Sequence, residues 1–169
     1  GDTTRSVFPQ KNGVSMYFSN VNRNKRGVTV DLKSEEGKEI FRKLIKTADV
    51  LVENNRPGVM EKLGFGYDEV KKLNKGIIYA SISGFGQYGP YRERPGYDII
   101  AQAMGGAMSI TGWPDGPATR SGIALGDILA AMNTAVGILS AIVHKGKTGE
   151  GQYIDVALVD SIVASLETI

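Results

Sequence analysis

Four short runs of aliphatic and β-branched residues, Val28–Leu32, Asp49–Glu53, Ile77–Ser83 and Gln152–Val156, punctuate this chain, and stretches of helical character separate them. Strands that alternate with amphipathic helices pair in parallel through crossover connections. The pattern therefore predicts an α/β fold, a parallel βαβ sheet with flanking helices. The best-marked helix follows Ser34, an N-cap candidate, and runs to about Thr47 with Ile40, Phe41, Leu44 and Ile45 on one face. Further helices are expected at Val59–Leu63, from Tyr67 to Asn74, from Tyr97 to about Ile110 and from Ala157 onward. Residues 1–27 read as polar and irregular, and Lys145–Gly151 as a polar turn. Ligands of parallel sheets sit beyond the carboxyl ends of the strands, which singles out Lys33, Asn54 and Gly84.

A second constraint is the almost wholly apolar segment Ile128–Val143, which opens on Gly126-Asp127. A helix beginning just after Asp127 would be hydrophobic on every side, the pattern of a helix buried in a core. Asp127 at its mouth has two compatible readings. As an N-cap it accepts orphan N–H bonds of the first turn and suits the positive end of the helix dipole. As a carboxylate nucleophile it holds an acyl or phosphoryl group covalently and passes it on, with Gly126 letting a substrate approach the backbone closely.

At 169 residues the chain fits a single domain with a substantial core. Twenty basic and 18 acidic residues leave a net charge of +2, so no nucleic-acid footprint shows in the total. Cysteine is absent, which removes disulfides, thiol catalysis and cysteine zinc sites. The single histidine, His144, lies at the end of the apolar helix, where an imidazole caps carbonyls. It cannot by itself build a His metal cluster or a Ser-His triad, and no metal is expected. Long apolar runs are broken by Gly, Asn, Thr or Ser short of a membrane span, and no basic-plus-apolar signal opens the chain. A soluble, cytoplasmic protein is the expectation. The chain opens on Gly1-Asp2-Thr3 and stops at Ile169 within an apparently helical run, and so reads as an internal piece of a longer polypeptide.

Two motifs fail on context. Gly84-Phe85-Gly86-Gln87-Tyr88-Gly89 matches the dinucleotide fingerprint and follows a strand, yet Pro90 and Pro95 stand where that fingerprint needs a helix. Gly146-Lys147-Thr148 matches the end of a P-loop, but position 141 is Ala and the triplet follows a helix, so it reads as a solvated turn.

The longer segments converge on a family. Asn24-Lys25-Arg26-Gly27-Val28-Thr29-Val30-Asp31-Leu32-Lys33, Asp49-Val50-Leu51-Val52-Glu53-Asn54-Asn55-Arg56-Pro57-Gly58 and Ser81-Ile82-Ser83-Gly84-Phe85-Gly86-Gln87-Tyr88-Gly89-Pro90 resemble successive signatures of family III coenzyme A transferases. Gly126-Asp127 and Lys147-Thr148-Gly149-Glu150-Gly151-Gln152-Tyr153-Ile154-Asp155-Val156 extend the resemblance over essentially the whole chain, residues 1–169. The resemblance implies a Rossmann-like sheet within a larger fold in which two chains interlock as a homodimer. It implies transfer of CoA from an acyl-CoA thioester to a free carboxylic acid, with acyl-CoA as substrate and no metal. Asp127 matches the family's nucleophile, which passes through an acyl-aspartyl anhydride and an aspartyl-CoA thioester.

By the same resemblance Val30 and Lys33 lie beside the CoA adenosine, Asn54 and Asn55 contact CoA from a strand-end turn, and Lys62 supplies a basic group. Asn55 departs from the aromatic residue frequent at its position. Tyr97-Asp98 matches the pair near the nucleophile in formyl-CoA transferase, and the residues alone equally fit helix-start packing and capping. Racemase relatives carry a histidine at the place of Tyr97; a phenol with an unperturbed pKa of about 10 is a poor proton acceptor at neutral pH, which disfavours racemisation. An acyl-CoA racemase or isomerase, and a non-catalytic CoA-binding module in which Asp127 only caps its helix, are the alternatives.

Overall fold

The computed structural model describes residues 2–167. Backbone contacts divide the chain into two compact units, residues 1–41 and 42–169.

In the first unit, β1 (Gln10–Lys11) and β2 (Val14–Ser15) form an antiparallel hairpin. Asn12 and Gly13 both adopt positive φ at its turn, the Asn-Gly chemistry that a two-residue hairpin demands. Helix α1 (Met16–Val21) follows, and the Ser15 Oγ accepts the Phe18 N–H at 3.1 Å as its N-cap. Residues 1–27 are thus more regular than their polarity implied. The expected strand Val28–Leu32 does not form: among the described residues nothing pairs with it, and Val28 is exposed. β-branched residues favour a strand only where a neighbouring ladder exists. Lys33 is therefore not a strand end. Its N–H donates to Asp31 Oδ1 at 2.9 Å in a turn that leads into α2 (Glu35–Thr47). Ser34 caps that helix as expected, its Oγ accepting the Gly37 N–H at 3.0 Å. Of α2, residues 35–41 belong to the first unit, where Gly37 is buried, Phe41 half-buried and Ile40 exposed; in its remainder, which belongs to the second unit, Ile45 is buried and Leu44 exposed.

The second unit is built on a three-stranded parallel sheet of β3 (Val50–Glu53), β4 (Ile78–Ser83) and β5 (Tyr153–Ala157), in the spatial order β3-β4-β5. Helices α3 (Val59–Leu63) and α4 (Tyr67–Leu73) join β3 to β4. Helices α5 (Asp98–Met104) and α6 (Leu125–Thr148) join β4 to β5, and α7 (Leu158–Ser165) follows β5. This is the α/β arrangement the alternating pattern predicts. Successive strand residues point to opposite faces. On one face Tyr79 and Tyr153, register partners, meet Tyr67 of α4, with Tyr67 and Tyr153 stacked at 4.9 Å and the Tyr79 hydroxyl donating to Phe65 O at 3.0 Å. On the other, Ile82 and Val156 pack against a cluster of Ala101, Ala107, Ala130, Leu158 and Ile162 from the helices α5, α6 and α7 and the turn after α5.

Two helix ends and one face depart from expectation. Helix α5 stops at Met104, and a separate 3₁₀ turn, Ala107–Ser109, follows it. Helix α6 starts at Leu125 and continues through the expected turn to Thr148, so Lys147 and Thr148 form its last exposed turn and His144 sits one turn before its end. Its small residues Gly126, Ala130, Thr134 and Ala141 are buried, and Gly137 lies against Ile154 of β5. Ile128, Met132, Val136, Leu139 and Val143 are exposed, so the helix is not buried on every side. Its 24 residues have the length and apolar content of a membrane span, a test that soluble core helices also pass. Helix α7 closes at Ser165, earlier than a run to Ile169; Thr168 and Ile169 lie outside the described residues.

Candidate functional site

At the carboxyl ends of β3 and β4 the second unit opens into a cleft of about 520 Å³. The strand tips contribute Asn54, Asn55, Arg56 and Pro57 after β3, and Ile82, Ser83 and Gly84 at the end of β4. Arg94, Pro95, Gly96 and Tyr97 close one side, and Asp127, Ala131 and Leu158 form the wall made by α6 and α7. The location follows the rule that ligands bind beyond the carboxyl ends of parallel strands.

The loop from Gly84 to Gly96 is pinched at its base. A Cβ on Gly84 would lie 2.5 Å from the Gly96 Cα, so the two backbones cross where no side chain fits. No helix follows the glycine run, which fits its rejection as a dinucleotide fingerprint. The loop is held to β5 instead by Asp155, whose Oδ2 accepts the Gln87 N–H at 2.9 Å. Burial pushes the Asp155 carboxyl upward, the Gln87 bond opposes that, and the Asp160 charge adds to it.

Asp127 is not the N-cap of α6. Ala124 holds that place without a side-chain bond, and Asp127 lies in the first turn, its side chain exposed toward the cleft. The cap comes from another element. Asp98, the buried first residue of α5, accepts the Gly126 N–H on Oδ1 at 2.9 Å. Its Oδ2 accepts Gln102 Nε2 at 2.8 Å and Arg120 Nη2 at 3.2 Å. Gln102 is itself fixed, its Nε2 also donating to Ile123 O at 3.1 Å and its Oε1 accepting the Ser121 N–H at 2.9 Å. Gly126 serves helix packing: a Cβ there would meet the Ala101 Cβ at 3.1 Å. Burial raises the Asp127 carboxyl above its ordinary value, the Asp98 charge raises it further and the Arg120 guanidinium lowers it.

Of the residues singled out from the sequence, Asn54, Asn55, Tyr97 and Asp127 line this one cleft. Tyr97 is 76% exposed at the N-cap position of α5, so its ring is available to a ligand. Asp98 is buried, accepts three hydrogen bonds and is not among the cleft residues. Lys62 is exposed on α3 and is not among the cleft residues. Val30 and Lys33 belong to the first unit, the one half-buried and the other exposed. Among the described residues no group of side chains has the make-up of a metal site.

Comparison with known proteins finds that the description of CoA-transferase family III matches residues 1–169. The chain belongs to CoA-transferase family III. It is 48% identical over 168 residues to an acetyl-CoA:oxalate CoA-transferase of Acetobacter aceti, covering 99% of this chain and 43% of that protein. It is 47% identical over 176 residues to a succinyl-CoA:mesaconate CoA-transferase of Haloarcula hispanica, covering 99% of this chain and 44% of that protein. A crystal structure of a CAIB/BAIF family protein from Brucella suis superposes with a TM-score of 0.93 at 42% identity, over 98% of this chain and 45% of that one. This family III chain thus spans less than half the length of the relatives it matches.

The sequence reading did not single out the polar residues Arg56, Ser83 and Arg94 of the cleft, nor Arg120 beside Asp98. Arg56 and Arg94 line the cleft and were discoverable, since one follows a strand end and the other closes the glycine loop. Ser83 and Arg120 gave no local signal, because their significance lies in what surrounds them in space.

Proposed function

We propose that the full-length protein containing this chain transfers CoA between an acyl-CoA thioester and a free carboxylic acid, with Asp127 as the covalent carrier. The observation that carries the reading is the Asp127 carboxylate itself: it stands on the first turn of α6 at the wall of the strand-end cleft, unpaired with the Arg120 that bonds Asp98. Asn54, Asn55, Arg56 and Arg94 around it suit an anionic, amide-rich ligand such as CoA.

In the proposed sequence an Asp127 oxygen attacks the thioester carbonyl, the C–S bond breaks and CoA leaves as the thiolate. The thiolate then attacks the Asp127 carbonyl of the resulting anhydride, releasing the donor acid and leaving an aspartyl-CoA thioester. The acceptor carboxylate repeats the exchange: it forms its own anhydride with Asp127, and returning thiolate takes the acceptor acyl group. Each step replaces one difficult transfer by an easier one. A carboxylate partly withdrawn from water is less stabilised by solvent, which favours its use as a nucleophile once ionised. The relatives' names pair different donors and acceptors, acetyl with oxalate and succinyl with mesaconate, so the reading stops at short acyl and carboxylic acids. In the full-length protein we place the chain in an interlocked homodimer; the exposed apolar side of α6 supports a covered face there.

Intact-mass analysis of the full-length polypeptide mixed with a panel of acyl-CoA thioesters tests this. An acyl or CoA adduct mapped to Asp127 and absent from Asp127→Asn is expected. CoA binding with no adduct from any thioester overturns the covalent reading.

A further inference from the structure

Buried hydroxyls in the second unit bond to a neighbour. The buried Ser81 Oγ accepts the Tyr153 hydroxyl at 3.3 Å, Thr134 Oγ1 donates to Ala130 O at 2.7 Å, and Ser161 Oγ donates to Ala157 O at 2.9 Å. Ser83 differs. It ends β4 at 8% exposure, its Oγ is buried, and that oxygen has no hydrogen-bond partner. A buried hydroxyl left unpaired works against folding, and such exceptions call for a specific cause. The cause is at hand in the cleft, which Ser83 lines together with Asp127 and Tyr97.

We infer that the Ser83 hydroxyl is a substrate contact, donating a hydrogen bond to the acyl carbonyl oxygen of the thioester while Asp127 attacks it. The inference rests on the reading of Asp127 as the carrier. The nearby cations of the cleft, Arg56 and Arg94, sit on exposed side chains, whereas Ser83 offers a donor already stripped of water at the strand tip. As the Asp127 oxygen bonds to the carbonyl carbon, the carbonyl electron pair moves onto oxygen. The Ser83 O–H stabilises that charge without giving up its proton, and the pair returns as the C–S bond breaks and thiolate departs. A donor already desolvated gives up no bond to water at that moment, which is why such donors contribute heavily to catalysis. The arrangement also accounts for a polar group that the fold tolerates without using.

The test compares wild type with Ser83→Ala in the full-length enzyme by steady-state kinetics, adduct formation and thermal unfolding. Loss of one such donor costs roughly 100-fold in kcat, so a fall of about that size is expected, with KM changed little. Because the hydroxyl bonds nothing in the fold, Tm should hold or rise. The Asp127 adduct should still form, but more slowly. A kcat within twofold of wild type overturns the inference, as does a KM-only effect. So does a drop in Tm that accounts for the lost activity, since it would mark a structural hydroxyl. If wild type itself gives no Asp127 adduct, the carrier reading fails; if wild type and Ser83→Ala form it equally fast, only the role of Ser83 fails.

Discussion

Asp127 is set between opposed influences. Burial and the Asp98 charge disfavour its ionised form, while the Arg120 guanidinium favours it. Arg120 is tethered by its 3.2 Å bond to Asp98 and is about half exposed, so it acts on Asp127 through space and not through a shared hydrogen bond. A nucleophile must be ionised, so activity falls on the acid side as Asp127 protonates, and its raised pKa places that limb above the ordinary carboxylate value of about 3.9. Removing the cation leaves both raising influences in place, so Arg120→Gln should move the acid limb of kcat/KM to higher pH. Arg120→Lys, which keeps the charge, should restore most of the shift. The exposure of Asp127 toward the cleft lets water screen these charges, which keeps the displacement small. A pH–rate profile unchanged in Arg120→Gln would remove Arg120 from the electrostatics of the site.

At the scale of elements, the position of Asp127 depends on how α6 begins, and α6 begins on Asp98. An Asp98→Ala change would strip acceptors at once from Gly126 N–H, Gln102 and Arg120. The first two are buried, and unpaired buried donors cost about 1–3 kcal/mol each, so a destabilisation of about 2–6 kcal/mol is expected in chemical denaturation. Asp98→Asn can keep the Gly126 bond on its oxygen, but its amide then faces Gln102 Nε2, donor against donor. Gln102 cannot turn over without losing Ile123 O and Ser121 N–H. Intermediate stability is therefore expected for Asp98→Asn, and equal stability of the two variants would show that the cap on α6 contributes little. This network also marks where sequence reading stops. Ser34 was legible as a cap because its bond closes within three residues, and β3, β4 and β5 were legible because each run carries its own pattern. The cap reading of Asp127 fails because the residue that caps α6 lies 28 positions upstream. Val28–Leu32 has strand composition but no ladder to join among the described residues. Asn54, Asn55, Tyr97 and Asp127 were findable by strand-end position or family signature, whereas the unpaired Ser83 hydroxyl exists only as a spatial fact.

At the scale of the whole molecule, α6 decides what remains to be covered. Met132, Val136, Leu139 and Val143 recur at helical spacing on its exposed side, and Val136 and Leu139 are 63% and 62% accessible. The sequence made this helix look buried on every side, because apolarity all round is the signature of enclosure, and among the described residues only its small-residue side is enclosed. A contiguous apolar stripe of this kind marks an interaction surface or an aggregation liability. Relatives of more than twice this length supply ample further chain to cover it, and a second copy in a homodimer is the other candidate cover. The 169-residue chain alone should therefore self-associate in a concentration-dependent way by sedimentation velocity, and Val136→Glu with Leu139→Glu should suppress this without loss of helical circular dichroism. In the full-length protein the same pair should be destabilising, since fully burying each of these side chains is worth about 1.5–3 kcal/mol. A lowered, concentration-independent Tm would assign the cover to the same polypeptide; dissociation to monomer at unchanged monomer stability would assign it to a second copy. Unaltered stability and assembly would leave the stripe open to solvent and remove α6 from any interface.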